Sequence, residues 1–346
     1  MASDSQKSTP RSRRRWFWRV FAACSALGVL ALFGAWWLMI RMPGESYHGE
    51  PPPLDDEQTR LREQLRRHVE KLAGEIGERN LLRYPQLQQA ADYIAEQFAA
   101  AGYKPARQTF QARGHTFVNI EAELPGTTNP EAIVVVGAHY DTVPGSPGAG
   151  DNASGVAGLL ALAEHFADRQ PGLTVRFVAF ANEEMPYFQS DQMGSWVYAR
   201  RCRKRQENVV AMLSLETIGY FTNEPYSQHY PAPFGAFYPS EGNFIGVIGN
   251  VGSRPLVHRV IESFRRHAQF PSHGGAIPGN VAGVGWSDHW SFWQEGYQAV
   301  MITDTALFRY PYYHRPEDTP DKLNYDKMAH VIAGVAAVIA ELADAR

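Results

Sequence analysis

Apolar residues along this chain fall into three kinds of run. The first, 20–40 (VFAACSALGVLALFGAWWLMI), holds 21 residues without a charge. At about 1.5 Å per helical residue it spans a hydrocarbon core of roughly 30 Å. The second kind has helical spacing: Leu61, Leu65, Val69 and Leu72 recur among charges over 61–72, and Leu87, Ala91, Ile94 and Phe98 recur over 87–101 with Gly102 as a stop. Both predict covering helices. The third kind is short and almost uniformly apolar: 132–136 (AIVVV), 173–181 (LTVRFVAFA), 209–215 (VVAMLSL), 244–248 and 299–303. Such runs read as strands buried on both faces. Helical patterns alternate with them. One follows Asp151 or Asn152, either of which can cap it, with Val156, Leu159, Leu160 and Ala163 on one face, and others cover 194–203, 254–267 and 327–342. The repeated strand–helix–strand order predicts an α/β fold, a mostly parallel, mixed central sheet with helices on both faces, preceded by one N-terminal transmembrane helix.

The flanks of the first run give it a direction. Residues 1–19 carry six Lys/Arg against one Asp, a charge of +5, which leaves −8 for the remainder of a chain whose net charge is −3. Arg11, Arg13, Arg14, Arg15 and Arg19 precede the run and Glu45, Glu50, Asp55, Asp56 and Glu57 follow Arg41, while Trp16, Trp18, Trp36 and Trp37 mark its two ends. Positive residues stay on the cytoplasmic side and indoles favour the interface. The expected organisation is therefore a basic cytoplasmic tail (1–19), a single-pass anchor (20–40), an extended stalk (41–57) with three consecutive prolines, and a globular domain (58–346) on the periplasmic or extracellular side. A cleaved signal peptide needs a shorter apolar region and a small-residue cleavage site, and none is obvious before Arg41. The acidic main body argues against nucleic acid as a partner. Only Cys24 and Cys202 are present, which excludes a disulfide framework and a Cys-rich zinc site. There is no G-x-S-x-G elbow and no phosphate-cradling Gly-rich loop with Lys.

Chemistry gathers where the strands end. His139 and Asp141 follow the first strand, and Asp151 lies further along that loop in GAGDNASG. Glu183 and Glu184 follow the second strand, Glu216 the third, and a Tyr-rich loop after the fifth ends in Tyr312, Tyr313 and His314. Ligands bind at the carboxyl ends of strands in open α/β sheets. Apart from Asp141, two imidazoles and four carboxylates thus meet at one sheet edge. Like charges gathered in one crevice need a cation, and imidazole with carboxylate but no thiolate suits zinc or a similar divalent ion. Six groups exceed the ligands of one catalytic zinc, and a carboxylate bridging two metals accommodates the surplus. Glu183 or Glu184 then stays off the metal as general base and acid.

The motifs His139-Tyr140-Asp141, GAGDNASG (148–155), Glu183-Glu184, SLETIGY (214–220), Ser287-Asp288-His289 and Tyr313-His314 occur in that order over about 180 residues. In this the chain resembles the co-catalytic di-zinc aminopeptidases of metallopeptidase family twenty-eight. The resemblance implies two Zn2+ ions, one held by His139 and Glu216, the other by Glu184 and His314, with Asp151 bridging. It implies Glu183 as acid/base, Asp141 orienting His139, and Tyr313 donating to the developing oxyanion. Peptides are then the substrates, and N-terminal peptide bonds the site of cleavage. Two positions depart from the family pattern: many relatives have Asp where Glu216 stands, and often a second acidic residue where Gly150 stands. Carboxypeptidase, dipeptidase and glutaminyl cyclase chemistries occur on related folds, although cyclases keep a single zinc and lack the first histidine. A non-catalytic receptor or scaffold ectodomain is the alternative of another class, and such relatives lose ligands.

Several residues have plainer readings. Asp288 is expected to act as a wall or supporting residue, and His289 to stay off a metal whose ligand places are filled. His68, His165, His258, His267 and His330 fall in predicted helices as surface or packing residues. The cations of 200–205 end a predicted helix, where they meet its negative dipole end. The Pro/Tyr/Phe-rich stretch 226–238 reads as a long loop over the pocket, either shaping specificity or covering apolar surface.

Overall fold

The computed structural model describes residues 10–344; the side chains of residues 10–13 and 16 are outside the description, so much of the basic tail, with Lys7, Arg11, Arg13 and the Trp16 ring, lies beyond it. Two compact units result, one ending at Arg41 and one beginning at Met42. The first is the helix α1 (Pro10–Met39), whose stretch Phe17–Met39 is long and apolar enough to cross a membrane and has no buried residue in its most apolar window.

The second unit is built on an eight-stranded mixed sheet. Its strands are β1 (Ala106–Ala112), β2 (His115–Leu124), β3 (Asn129–His139), β4 (Leu173–Phe180), β5 (Asn208–Glu216), β6 (Ile245–Gly249), β7 (Ser272–Ala276) and β8 (Ala299–Thr303), in the order β1-β2-β4-β3-β5-β8-β6-β7. The centre β4-β3-β5-β8 is parallel, β1-β2-β4 is antiparallel, and β6 runs antiparallel to β8 but parallel to β7. The expected mixed sheet is therefore present, with three more strands than the five anticipated. Pleating divides β3 between two cores. Val134, Val136 and Ala138 enter the larger one, with α2 (Asp56–Val69), α3 (Tyr84–Ala100), α4 (Gly155–Phe166), α6 (Arg254–His267) and α8 (Tyr325–Asp344). Ile133 and Val135 enter the smaller one, beside residues of α5 (Gly194–Lys204) and α7 (His289–Gln294). Burial on both faces is why this run lacks polar alternation. Cys202 of α5 is enclosed in the smaller core, where burial pushes its thiol up to about 12.

Helix α2 starts earlier than the apolar spacing suggests. Asp55 Oδ1 accepts from Gln58 N at 2.8 Å and Gln58 Oε1 accepts from Asp55 N at 3.2 Å, a reciprocal capping box that ends the extended segment at Asp55 rather than at 57. That segment is not a free stalk. Arg265 Nη1 donates to the carbonyls of Pro43 and Gly44 at 2.8 and 2.9 Å, Ser272 N donates to Ser46 Oγ at 2.9 Å, and His330 Nε2 lies 3.0 Å from Pro52 O. The prolines keep it out of a helix, and α6, β7 and α8 take up its polar groups.

Candidate metal centre

Strand ends β3, β4 and β5 lie side by side in parallel register, so the residues that follow them share one edge. Around Asp151 the chain is shaped by its neighbours. Neither expected residue is the N-cap of α4, a place Ser154 takes without a side-chain bond; Asn152 instead ties the turn to β5, its Oδ1 accepting from Gly155 N and Thr217 N, both at 3.1 Å, and its Nδ2 donating to Leu215 O at 2.9 Å. A Cβ on Gly155 would lie 2.3 Å from that Oδ1 and 2.5 Å from Leu215 O, so only glycine fits there. The Asp151–Asn152 peptide is cis. Asp318 Oδ1 and Oδ2 accept from Gly150 N and Asp151 N at 2.7 and 3.1 Å. Asp151 is left free to point its carboxylate elsewhere.

That carboxylate joins two clusters. His139 Nε2 lies 3.2 Å from Asp151 Oδ1 and 3.2 Å from Glu216 Oε2, while His314 Nε2 lies 3.0 Å from Asp151 Oδ2 and 3.3 Å from Glu184 Oε1. His139, Asp151 and Glu216 form one group able to hold a cation, and Asp151, Glu184 and His314 the other. Asp151 Oδ1 and Glu184 Oε1 are buried without an aligned hydrogen-bond donor, the condition of oxygens made for a cation. All donors are nitrogen or oxygen, as zinc accepts. The His314 side chain is 37% exposed and that of His139 1%, so the second group faces the solvent.

The electrostatics are those of an anionic crevice. Burial raises the carboxyls of Glu183, Glu184 and Glu216 above their ordinary range, Glu184 to about 7, and each is raised further by neighbouring carboxylates. Burial alone would raise Asp151 as well, yet His139 and His314 hold it low. Both imidazoles are pulled upward against their own burial, His139 by Glu216 and Glu183, His314 to about 10 by Asp151 and Glu184. The crevice favours whatever brings positive charge.

Around the two groups the remaining expected residues fall as follows. Glu183 is buried beside them and belongs to neither. Asp141 lies 3.5 Å from His139 Nδ1, too long for a well-formed hydrogen bond, and its two oxygens instead accept from Glu183 N and Glu184 N at 3.1 Å each. It therefore latches the β4 loop to the β3 loop. Tyr313 stacks on His314 with ring centroids 3.9 Å apart, and burial keeps its phenol protonated. Asp288 is fully buried, and burial raises its carboxyl to about 7. His289 Nε2 donates to Val284 O at 2.8 Å and stays off the centre. Of the helical histidines, His68 is buried against Tyr93 OH and His267 pairs with Glu341. Arg201 of the cationic run pairs with Glu121.

Three supporting residues carry no motif that singles out their role. Ser287 Oγ donates to Glu216 Oε2 at 2.6 Å and so holds the longer arm at this position. Asp318, besides its two backbone donors, accepts from Tyr310 OH at 2.6 Å. A Cβ on Gly150 would lie 2.7 Å from the Tyr310 ring and 3.2 Å from Asp318 Oδ1, so this chain has no room for an acidic side chain at 150. Arg79, fully buried, donates to five carbonyls: Nε to Tyr140 at 2.7 Å, Nη1 to Leu72, Gly77 and Pro147 at 2.9, 2.7 and 2.7 Å, and Nη2 to Gly148 at 3.0 Å. It clamps the His139 and Asp151 loops together.

An apolar cavity of about 110 Å³ opens beside Glu216 and Tyr313. Tyr230, Phe234 and Tyr238 from the stretch 226–238 wall it, together with Phe244, Met301 and Phe308. The aromatic loop thus borders the centre rather than only covering apolar surface.

A mixed sheet flanked by helices, with a carboxylate–imidazole crevice at the carboxyl edge of its parallel strands, defines an α/β protein with a candidate metal centre. The chain belongs to peptidase family M28, whose model matches residues 119–339. An uncharacterized protein of Escherichia coli, YfbL, is 38% identical over 286 residues, which cover 80% of this chain and 87% of that one. A probable leucine aminopeptidase of Arthroderma otae is 28% identical over 64% of this chain and 57% of its own length. Among solved structures, a zinc aminopeptidase from Bacillus subtilis superposes with a TM-score of 0.65 at 16% identity, covering 86% of this chain and 97% of that one. A glutaminyl cyclase from Fimbriiglobus ruber superposes with a TM-score of 0.61 at 20% identity, covering 86% and 99%. At these identities the two structures establish the fold.

Proposed function

We propose that this protein is a membrane-anchored two-zinc aminopeptidase. The observation that carries the reading is Asp151, each of whose oxygens faces one imidazole that in turn faces a further carboxylate. In this reading His139 and Glu216 hold one Zn2+, Glu184 and His314 the other, and Asp151 serves both. The ions supply Lewis acidity, activating water and polarising the scissile carbonyl. Glu183, buried and without a place in either ligand group, takes the proton of the attacking water on a carboxylate oxygen and delivers it to the leaving amine. The Tyr313 hydroxyl donates to the oxygen on which charge develops. The aromatic cavity beside Glu216 accepts a bulky apolar N-terminal side chain. Residues 1–19 remain in the cytoplasm, 20–40 span the membrane, and the domain that follows works outside it.

The full-length protein should contain two zinc ions and release the aminoacyl group from leucine anilides in a chelator-sensitive manner. Blocked peptides cut as fast as free ones would end the aminopeptidase assignment. Release of ammonia from N-terminal glutaminyl peptides without peptide cleavage would replace it with a cyclase. Less than one zinc per chain with no activity would favour a scaffold.

A further inference from the structure

The aromatic loop has a second face that the cavity does not use. From 225 to 240 the chain reads PYSQHYPAPFGAFYPS, sixteen residues without Asp, Glu, Lys or Arg, between Glu224 and Glu241. Tyr230, Phe234 and Tyr238 wall the cavity. Ala232, Pro233, Gly235, Ala236, Phe237 and Pro239 are left exposed, Phe237 by 48%, and Tyr226 stands 79% exposed where the loop begins. The loop is tied down. Tyr230 OH donates to Pro239 O at 2.7 Å, Tyr230 stacks on Tyr238 with ring centroids 5.6 Å apart, and His229 N donates to Phe308 O at 2.9 Å. A fixed, continuous and uncharged surface on an otherwise acidic chain marks a place where something apolar is met.

The neighbours of this face identify what it meets. Tyr238 OH donates to Gly274 O at 2.8 Å on β7, an edge strand of the sheet. Met42 packs on the same glycine, where a Cβ would lie 3.1 Å from its Cγ and Sδ, and Arg265 holds the carbonyls of Pro43 and Gly44 that follow. Met42 is two residues beyond Ile40, the end of the apolar run. At 3.8 Å per peptide unit, Met42 lies no more than about 8 Å from Ile40 whatever the direction of the chain between them. In the membrane-anchored reading, the outer face of the loop therefore stands beside the point where the chain leaves the bilayer. Uncharged surface rich in aromatic side chains is what the headgroup region accepts. We propose that the outer face of 225–240 lies in the headgroup layer of the membrane that anchors this chain, with Tyr226 and Phe237 as its interfacial side chains. The inference rests on the anchored reading and is independent of the peptidase chemistry. The inner face of the same loop walls the cavity, so the bilayer backs the wall against which an N-terminal side chain would be received.

The test uses the full-length protein in phosphatidylcholine–phosphatidylglycerol nanodiscs. Cys24→Ala removes the exposed native thiol, Cys202 being buried, and an environment-sensitive fluorophore is attached to Phe237→Cys, Ala236→Cys or Thr109→Cys. Thr109 is exposed on β1, at the opposite edge of the sheet from β7, seven strand spacings or roughly 30 Å away. Nitroxide carried on the lipid headgroups should quench the fluorophore at 237 and at 236, with emission shifted to the blue, and leave that at 109 unchanged. Two neighbouring positions are used so that one variant that fails to fold, seen by its thermal unfolding, leaves the other to decide. Emission at 237 and 236 that matches 109 and ignores the nitroxide overturns the proposal while the anchored reading stands. A blue shift without quenching means that a second copy of the chain, not lipid, covers the face, and overturns it too. Protein that does not enter the discs removes the anchored reading and this inference with it.

Discussion

Removing the Arg79 guanidinium is the sharpest perturbation available outside the centre. In an Arg79→Met variant five carbonyls lose a donor. Leu72 O and Gly148 O keep other partners, Gly77 N and Ala153 N, so three depend on the guanidinium: Tyr140, Gly77 and Pro147. Hydrogen bonds to a charged group are each worth about 1.5–3 kcal/mol net, which makes the loss roughly 4–9 kcal/mol. That figure is already net of the cost of desolvating the guanidinium, whose pKa burial pushes down to about 10, and it stands against a typical total stability of about 5–15 kcal/mol. Urea unfolding of the full-length protein, followed by tryptophan fluorescence with and without zinc, measures it directly. Lysine at this position keeps the charge but reaches fewer of the carbonyls, and should recover only part of the loss. If Arg79→Met unfolds within about 0.5 kcal/mol of the parent, the size of an ordinary surface change, the clamp is energetically idle and the reasoning fails.

Three further outcomes follow from the same geometry. Glu183→Gln should retain both zinc ions by elemental analysis while kcat falls about 10²–10⁴-fold; near-normal turnover would remove Glu183 from the proton transfers. Ser287→Ala frees Glu216 Oε2 from its 2.6 Å donor and should weaken zinc binding about 10–100-fold in a competition titration against a chelator, an effect absent if Ser287 is only a packing residue. His289 is held neutral by burial, its pKa lowered to about 4. Its contribution is complete above about pH 6.5 and is lost as pH falls from there towards 4, because the unfolded chain binds the proton first. His289→Gln should therefore shrink the acid-induced loss of stability by about 3 kcal/mol between those pH values; an unchanged profile would contradict it.

How far the fold could be read from the chain depended on burial. β3, β4, β5 and β8 are enclosed on both faces, and their apolar runs stand out. β1 (ARQTFQA) buries only Ala112 fully, so its hydrophobic signal is thin, and β2 pairs with it across a turn at Arg113 and Gly114, both at positive φ. β7 (SHGGA) is strand by pairing with β6, not by composition. The direction of β6 has no local cause that a single sequence reveals. At the centre, the groups that meet are those whose chemistry is unusual at strand ends: His139, Asp151, Glu184, Glu216 and His314. Arg79 and Asp318 carry no such signal, because a lone arginine or aspartate in a loop looks solvated until the fold closes over it. Asp141 was expected to orient His139, and its main bonds prove to be with the backbone of Glu183 and Glu184.

The contrast between the two sides of this centre has a consequence for oxidative stress. Carboxylates and imidazoles resist peroxide, and the thiol of Cys202 is enclosed and held protonated. Met185, next to Glu184 in the chain, is by contrast 65% exposed, and its thioether oxidises readily to a polar sulfoxide. Damage would fall first on this side chain at the rim of the centre, and a reductase could restore it.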